Sequence, residues 1–436
     1  MTVTKLLHRV LCVLFILASG AVYLVAHAPA GRRSAYGIVL HLLLALIMFG
    51  AWATSRSATA DEHRWTLVAG FLARLLVFPV GISLGHDGQR YLWDGAVFWA
   101  GLDPYTLPPS ASALADLRAV WSTPAEHMAY TTIYPPGAIA LFGLAASAGP
   151  TWALRIWKLL VTVASVGTLC AGAKLLQERS LARHLPLVAF SPLLVMETAT
   201  GAHLDVISAL AVAVALFLVH RRRFGAAGMA LGAGVLLKFL PGVALLPLAV
   251  SLGRRSAIRL LAGAAVVVVA GYGIAFQLGL RPLGSLFVFF ERWRFGSPIF
   301  TALSAIFGDA WAQRIAPCLL VVALLVIVRL ACRHSWVTLV PPALAVPLLA
   351  SPVVFPWYLA SLVPALALAP SAFLLAWLTA IPLTYEVIDR FDTLGAWEPA
   401  SWHWPLWAIG FAWVLGLTID MAVKRRSRKC EVLAEE

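Results

Sequence analysis

Charge is what this chain has least of. Asp, Glu, Lys and Arg make up 12% of its 436 residues, against about 25% in a soluble domain. The chain is also 61% hydrophobic, with apolar runs near the ~20 residues that cross a bilayer. Together these exclude a soluble protein and predict a polytopic helical membrane protein. The alternating ten-residue segments of a transmembrane β-barrel are missing, as is an internal repeat of the transporter kind. Cysteine is scarce too. Cys12, Cys170, Cys318, Cys332 and Cys430 are scattered, mostly in apolar spans. No CxxC or Cys/His spacing suggests zinc or a disulfide frame, and they read as small core hydrophobes.

Acids are fewer than bases, which leaves a net charge of +13. Nucleic acid is not the implied partner, because no basic groove interleaved with aromatics accompanies the charge. The bases sit in short loops between apolar runs: His220-Arg221-Arg222-Arg223, Arg254-Arg255, and Lys424 to Lys429. That pattern sets membrane topology. It predicts a cytoplasmic N-terminus and a cytoplasmic basic tail at 424–436. The expected architecture is one all-α integral-membrane domain, 1–436, with about twelve crossings, give or take one or two, and some broken or re-entrant helices.

Lys5 and Arg9 precede an apolar run, Val10 to Ala26, and Ala26-His27-Ala28 would pass as a signal cleavage site. An uncleaved first span keeps the later topology consistent and is preferred. A second span covers Tyr36 to Thr54 and a third Trp65 to Leu84. Arg74, within the third, is either functional or paired inside the bundle. Tyr134-Pro135-Pro136 opens a span to Ala148. The next begins at Trp152, and Arg155 and Lys158 in its first turns can snorkel to the interface. Leu185 to Val219 must then cross an odd number of times. Pro186, Pro192 and the polar run Glu197 to Asp205 interrupt it, so it reads as a broken or re-entrant pair. Charge alone does not settle which side Glu197 to Asp205 faces.

What the chain does have is one long polar segment, 85–133, placed outside by the same charge rule. It opens on Gly85-His86-Asp87-Gly88-Gln89-Arg90-Tyr91-Leu92-Trp93-Asp94-Gly95. Read as a helix from Asp87 to Trp99, it puts Asp87, Arg90, Tyr91 and Asp94 on one face and Leu92, Ala96 and Trp99 opposite. That describes an amphipathic helix at the membrane surface, or a solvated face with ordinary i,i+4 pairing. Gly85, Gly88 and Gly95 would serve helix stability poorly, which favours a functional segment.

These residues carry a resemblance. Asp87-x-x-Arg90-Tyr91-x-Trp93-Asp94-Gly95, then Gly101-Leu102-Asp103-Pro104-Tyr105 and Tyr134-Pro135-Pro136, resemble the GT-C superfamily of membrane glycosyltransferases. The likeness is greatest to the polyprenyl-phosphate-mannose-dependent branch, glycosyltransferase family 87. Gly201 to Asp205, Lys238-Phe239-Leu240-Pro241 and Phe355 to Leu359 agree in kind. The likeness runs over about 65–370. It implies a GT-C-like bundle in the bacterial inner membrane, with an extracytoplasmic catalytic loop whose leading acid, Asp87, is the base. The implied partners are a polyprenyl-phosphate sugar donor, membrane lipids and a glycan or lipid acceptor. The implied sugar is mannose, transferred with inversion.

Asp94 could instead orient the acceptor, pair with Arg90, or be the base. Arg90, Lys238, Arg292 and Arg294 are candidate cations for the leaving phosphate, or interfacial bases. His203 and Asp205 could bind substrate or a divalent ion, though two residues do not make a metal site and nothing requires one. Tyr91, Tyr134, Trp357 and Tyr358 could line a sugar or lipid pocket, or belong to the interfacial aromatic belt. The competing reading is a membrane transporter or lipid flippase. Such a protein should carry ionisable groups at midspan, whereas this chain gathers its acids in one loop.

Overall fold

The structure is a computed structural model that describes residues 2–395, 397 and 403–435, with side chains to Val423. Among these residues every regular element is helical, apart from one isolated bridge between Phe295 and Val353. Seven helices are long and apolar enough to cross a bilayer, and seven shorter apolar helices of 10–17 residues accompany them. Large apolar side chains cover the outside of the bundle. Val266, Val269, Leu325 and Trp407 are all more than 60% exposed. A surface of this kind is stable only against lipid. Cys170, Cys318 and Cys332 lie on it, and only Cys12 of the described cysteines is buried. The expectation that cysteines fill the core therefore fails for three of them: small hydrophobes are equally at home on a lipid-facing surface. Cys430 lies among residues whose side chains are not described, as does the basic tail 424–436.

Cross-bundle contacts give each helix its direction. Along Pro150–Glu178, Lys158 meets Ala199, Gly167 faces Leu210, and Glu178 pairs with His220 and Arg221. This helix therefore runs parallel to Leu204–His220. Residues 186–201 return between them, so Leu185 to Val219 passes through the bundle twice. The odd number expected from the sequence is wrong, and the cause lies upstream. Pro136–Ala146 is 11 residues long, about 16 Å at 1.5 Å per residue, and does not reach across a ~30 Å core. It lies along Asp87–Trp99 instead, with Tyr134 and Phe142 both against Tyr91.

The break itself has identifiable causes. Pro186 and Pro192 each start a short helix, and Ser191 caps the second by accepting from the Leu194 amide at 3.4 Å. Glu197–Gly201 is a π-helical turn that ends at Ala202 in left-handed conformation, φ 47°. Few non-glycine residues hold that conformation. Here Trp157 Nε1 donates to the Ala202 carbonyl at 2.7 Å. Lys158 Nζ donates to the Ala199 and Val80 carbonyls, and the Ser83 amide to that of Thr200 at 2.9 Å. The break is thereby tied to residues 80–84, which lead into Asp87, so Glu197 to Asp205 faces the same end of the bundle as Asp87. Lys158 is buried and does not snorkel. Arg155 stays exposed, its guanidinium 4.6 Å from the Trp152 ring. Arg74 is fully buried and donates to Ser165 Oγ and to the Gly70, Val188 and Ala189 carbonyls at 2.8–3.0 Å. It fastens the broken segment to helix Ala60–Leu76.

The basic run His220–Arg223 lies at the end opposite Asp87. At that same end Arg9 pairs with Asp61 and Glu62. Ala372–Leu394 continues as one long element beyond Tyr385. Its Asp389 accepts from the Ser34 amide and hydroxyl.

Candidate active site

Helix Asp87–Trp99 forms as expected but is no surface helix. Arg90, Tyr91, Trp93, Asp94, Ala96 and Val97 are buried. Trp93 and Val97 pack with Leu114 of the following loop, and Tyr91 stacks on Phe142 at 4.6 Å. Of the face predicted to meet lipid, Ala96 is buried, Leu92 is half-buried and Trp99 stays exposed, while residues 100–133 and Pro136–Ala146 cover the rest of the helix. Gly95 has a packing reason rather than a chemical one: a Cβ there would lie 2.2 Å from the Phe142 carbonyl oxygen.

The two aspartates part company. Asp94 is 1% exposed and its Oδ1 accepts from Arg90 Nε at 2.9 Å. Burial pushes the Asp94 carboxyl up from the usual range, against the pull of Arg90. Asp87 stands at the helix start with its side chain 24% exposed. It lines a cavity of about 70 Å³ together with Arg90, Glu126, Tyr134, Trp357 and Tyr358. A second cavity, about 520 Å³ and mostly apolar, shares Tyr134, Phe289 and Tyr358 with the first. Lys238 lines the larger one. Its Nζ is 2.5 Å from Asp205 Oδ1 and 3.7 Å from the centre of the Tyr358 ring. Tyr134 and Tyr358 thus stand where the two spaces meet, with Asp87 lining the smaller and Lys238 the larger.

Not every expected residue gathers there. Arg292 is exposed and lines neither cavity. Arg294 spends its guanidinium on the Phe290, Glu291 and Trp293 carbonyls and borders a separate space near Phe300 and Asp309. Arg90 is committed to Asp94 and to the His127 carbonyl at 3.3 Å, so of the four candidate cations Lys238 alone borders the apolar cavity. Trp357 and Tyr358 belong to the pocket rather than to an interfacial belt: Trp357 is buried and stacks on His203 with centroids 3.8 Å apart.

Other residues at the site went unnoticed in the sequence. Glu197 Oε2 is 2.5 Å from His203 Nδ1, and Tyr385 Oη donates to Glu197 Oε1. His86 Nδ1 is 2.6 Å from Glu126 and its Nε2 is 3.6 Å from Asp392. The hydrogen bond to Glu126 raises His86 above the ordinary histidine value. Burial would raise Glu126, but His86 and neighbouring groups bring it below the usual range. His127 is held down to about 4 by burial and then by Arg90. Glu197 alone had a sequence signal, as an acid within a span; Tyr385, Glu126 and Asp392 lie too far along the chain from the residues they meet to be read. Among the described residues no group of three His, Cys, Asp or Glu side chains is placed to hold a metal ion.

Comparison with known proteins finds a family match. The family model described as glycosyltransferase family 87 matches residues 132–292 and indicates a glycosyltransferase. That range contains Tyr134, His203, Asp205 and Lys238; Asp87 and Trp357 fall outside it. No curated protein and no solved structure matches the chain.

Proposed function

We propose that the chain transfers a sugar, mannose in our reading, from a polyprenyl-phosphate donor to the hydroxyl of a glycan or lipid acceptor. The observation that carries the proposal is the junction of the two cavities. The larger, apolar space suits a prenyl chain, Lys238 on its wall suits a phosphate, and Asp87 faces the smaller space where an acceptor hydroxyl would sit. Asp87 takes the hydroxyl proton. The freed oxygen lone pair forms the bond to the anomeric carbon as the bond from that carbon to the phosphate oxygen breaks. The electron pair leaves with the lipid phosphate, whose growing charge Lys238 offsets. Attack and departure on opposite faces invert the anomeric centre. Asp94, buried against Arg90, serves as a framework group in this scheme.

The basic loops at the far end would lie in the cytoplasm, so the Asp87 end would open to the extracytoplasmic side of a bacterial inner membrane. Cysteine placed at Ser112, which is exposed, should react with an impermeant reagent added from outside in a cysteine-free background. Reaction only after permeabilisation would reverse the orientation. Purified protein in nanodiscs, given polyprenyl-phosphate [14C]mannose and a membrane extract as acceptor, should transfer label. Asp87→Asn should lose roughly 10²–10⁴ in rate. Undiminished transfer by Asp87→Asn would refute the base. Failure of every prenyl-linked sugar would refute the donor.

A further inference from the structure

Asp87 has a neighbour that the displacement scheme leaves unused. His203 Nε2 lies 3.8 Å from Asp87 Oδ2. It is buried and has no hydrogen-bond partner, although buried polar nitrogens are nearly always paired. The rest of the ring is held from two sides. Nδ1 meets Glu197, Glu197 is in turn engaged by Tyr385, and the ring lies 9° from parallel with Trp357. The backbone is shaped around this arrangement. A Cβ on Gly201 would fall 2.2 Å from His203 Nδ1 and 2.6 Å from Glu197 Oε2, so only glycine leaves room for the pair. An imidazole this constrained, with its one open nitrogen toward the carboxylate, is aimed.

We propose that His203 is a positioning residue for Asp87, with Glu197 and Tyr385 aiming its ring. The proposal rests on the reading of Asp87 as the base and names what orients it. The ring sits between two carboxylates, and only a doubly protonated imidazole donates to both. Nδ1–H then serves Glu197 and Nε2–H faces Asp87 Oδ2. A bridging water, or an approach of about 1 Å when substrate fills the site, completes that bond. With Oδ2 held, Oδ1 is presented to the acceptor hydroxyl. No proton leaves the histidine: the hydroxyl proton goes to Asp87, and the Glu197–His203 pair keeps its own. A base fixed in this way spends more of its time in the reactive geometry.

Two readouts test this separately. In protein labelled with 15N-histidine, the His203 signals are identified by their loss in His203→Gln. Asp87→Asn should move the His203 Nε2 resonance, and Glu197→Gln should move Nδ1. An Nε2 resonance indifferent to Asp87→Asn overturns the proposal, whether or not any sugar is transferred. In the transfer assay with polyprenyl-phosphate [14C]mannose, Glu197→Gln and His203→Ala should lower kcat at least tenfold while the donor KM stays within about twofold. His203→Gln, which keeps an N–H donor, should recover part of the loss. Equal losses in His203→Ala and His203→Gln, matched by equal falls in melting temperature, also overturn it. A wild-type protein that transfers nothing would instead sink the donor assignment, and the resonance experiment would still decide the role of His203.

Discussion

Gly95→Ala sets two well-known effects against each other, and the structure says which wins. In an exposed helix interior, Gly→Ala stabilises by about 1 kcal/mol, because alanine loses less backbone freedom. At Gly95 the added methyl would stand 2.2 Å from the Phe142 carbonyl oxygen, 2.3 Å from its carbon and 2.9 Å from the Gly143 amide nitrogen. All three are backbone atoms, so no side chain can turn away. Ordinary contact requires helices Asp87–Trp99 and Pro136–Ala146 to separate by roughly 1 Å, and overpacking of this kind costs typically 1–3 kcal/mol. The net expectation is destabilisation by about 0–2 kcal/mol, with the Tyr91–Phe142 stack loosened. Gly273→Ala is the control: it sits in helix Arg254–Gln277 with nothing within 4 Å of its would-be Cβ, so only the propensity gain operates there. Tryptophan-fluorescence melting in one detergent should place Gly95→Ala below wild type and Gly273→Ala at or above it. Transfer by Gly95→Ala should fall further than its stability, since Asp87 rides on the displaced helix and a 1 Å misplacement can cost about 10²-fold. A melting temperature for Gly95→Ala equal to or above that of Gly273→Ala would refute the reasoning.

Lys238→Met should raise the donor KM by roughly tenfold or more, the usual worth of a hydrogen bond to a charged group, and should leave buried Asp205 unpaired. Adding Asp205→Asn should restore melting temperature but not donor affinity; restoration of both would remove Lys238 from the phosphate site. Arg74→Met should lower stability by a few kcal/mol, at about 1 per lost hydrogen bond, with the specific activity of the folded fraction unchanged. Lost activity at unchanged stability would instead give Arg74 a chemical role. The His86–Glu126 anchor should be pH-dependent. A histidine raised on folding contributes stability that is fully present below its ordinary value, 6.5, and is lost as pH climbs through the raised one. Glu126, lowered on folding, contributes above 4.5 and loses its part as pH falls. On going from pH 8.5 to pH 5.5, wild type should therefore gain more protease protection of residues 100–133, or lose less, than His86→Gln does. His127 acts in the opposite sense below 6.5, but it is common to both proteins and cancels. Equal pH responses in the two would exclude the anchor.

Helix type and membrane class were legible because they depend on composition summed over long windows. The helix Asp87–Trp99 was legible from its periodicity. What misled was side-chain direction combined with length. Leu92, Ala96 and Trp99 looked like a lipid face, but the loop to Tyr134 folds back and covers the neighbouring Trp93 and Val97. Pro136–Ala146 looked like a span because it is apolar, and apolarity does not distinguish a helix that crosses lipid from one that packs on protein. That one misreading changed the parity of everything up to His220. Motif residues were recognisable before their duties were. Tyr105 donates to the Tyr134 carbonyl at 2.8 Å and Asp103 accepts from the Arg281 amide, so both hold the loop closed. The Glu197–Tyr385 contact spans 188 residues and leaves no trace in local pattern.

Ionisable groups inside a bundle invite a functional reading by default, and this fold shows how to divide them. Arg74 and Lys158 end on backbone carbonyls and, for Arg74, the Ser165 hydroxyl, and each reaches the broken segment: Arg74 at Val188 and Ala189, Lys158 at Ala199. Interrupted helices free carbonyls that lipid cannot satisfy, so a buried base beside a break restores hydrogen bonding and has no proton to trade. Glu197 and His203 end on each other's side chains, as do Asp205 and Lys238, at the same end as Asp87. A group whose partners are backbone carbonyls or a neutral hydroxyl has its geometry set by the fold. A group whose partner is another titratable side chain retains a charge that a substrate can redirect. On that criterion Lys158 and Lys238, both lysines near the same break, differ in kind: Lys158→Met should be a stability mutation, and Lys238→Met a donor-binding one. Measured in parallel, a donor KM that moves with Lys158→Met but not with Lys238→Met would overturn the distinction.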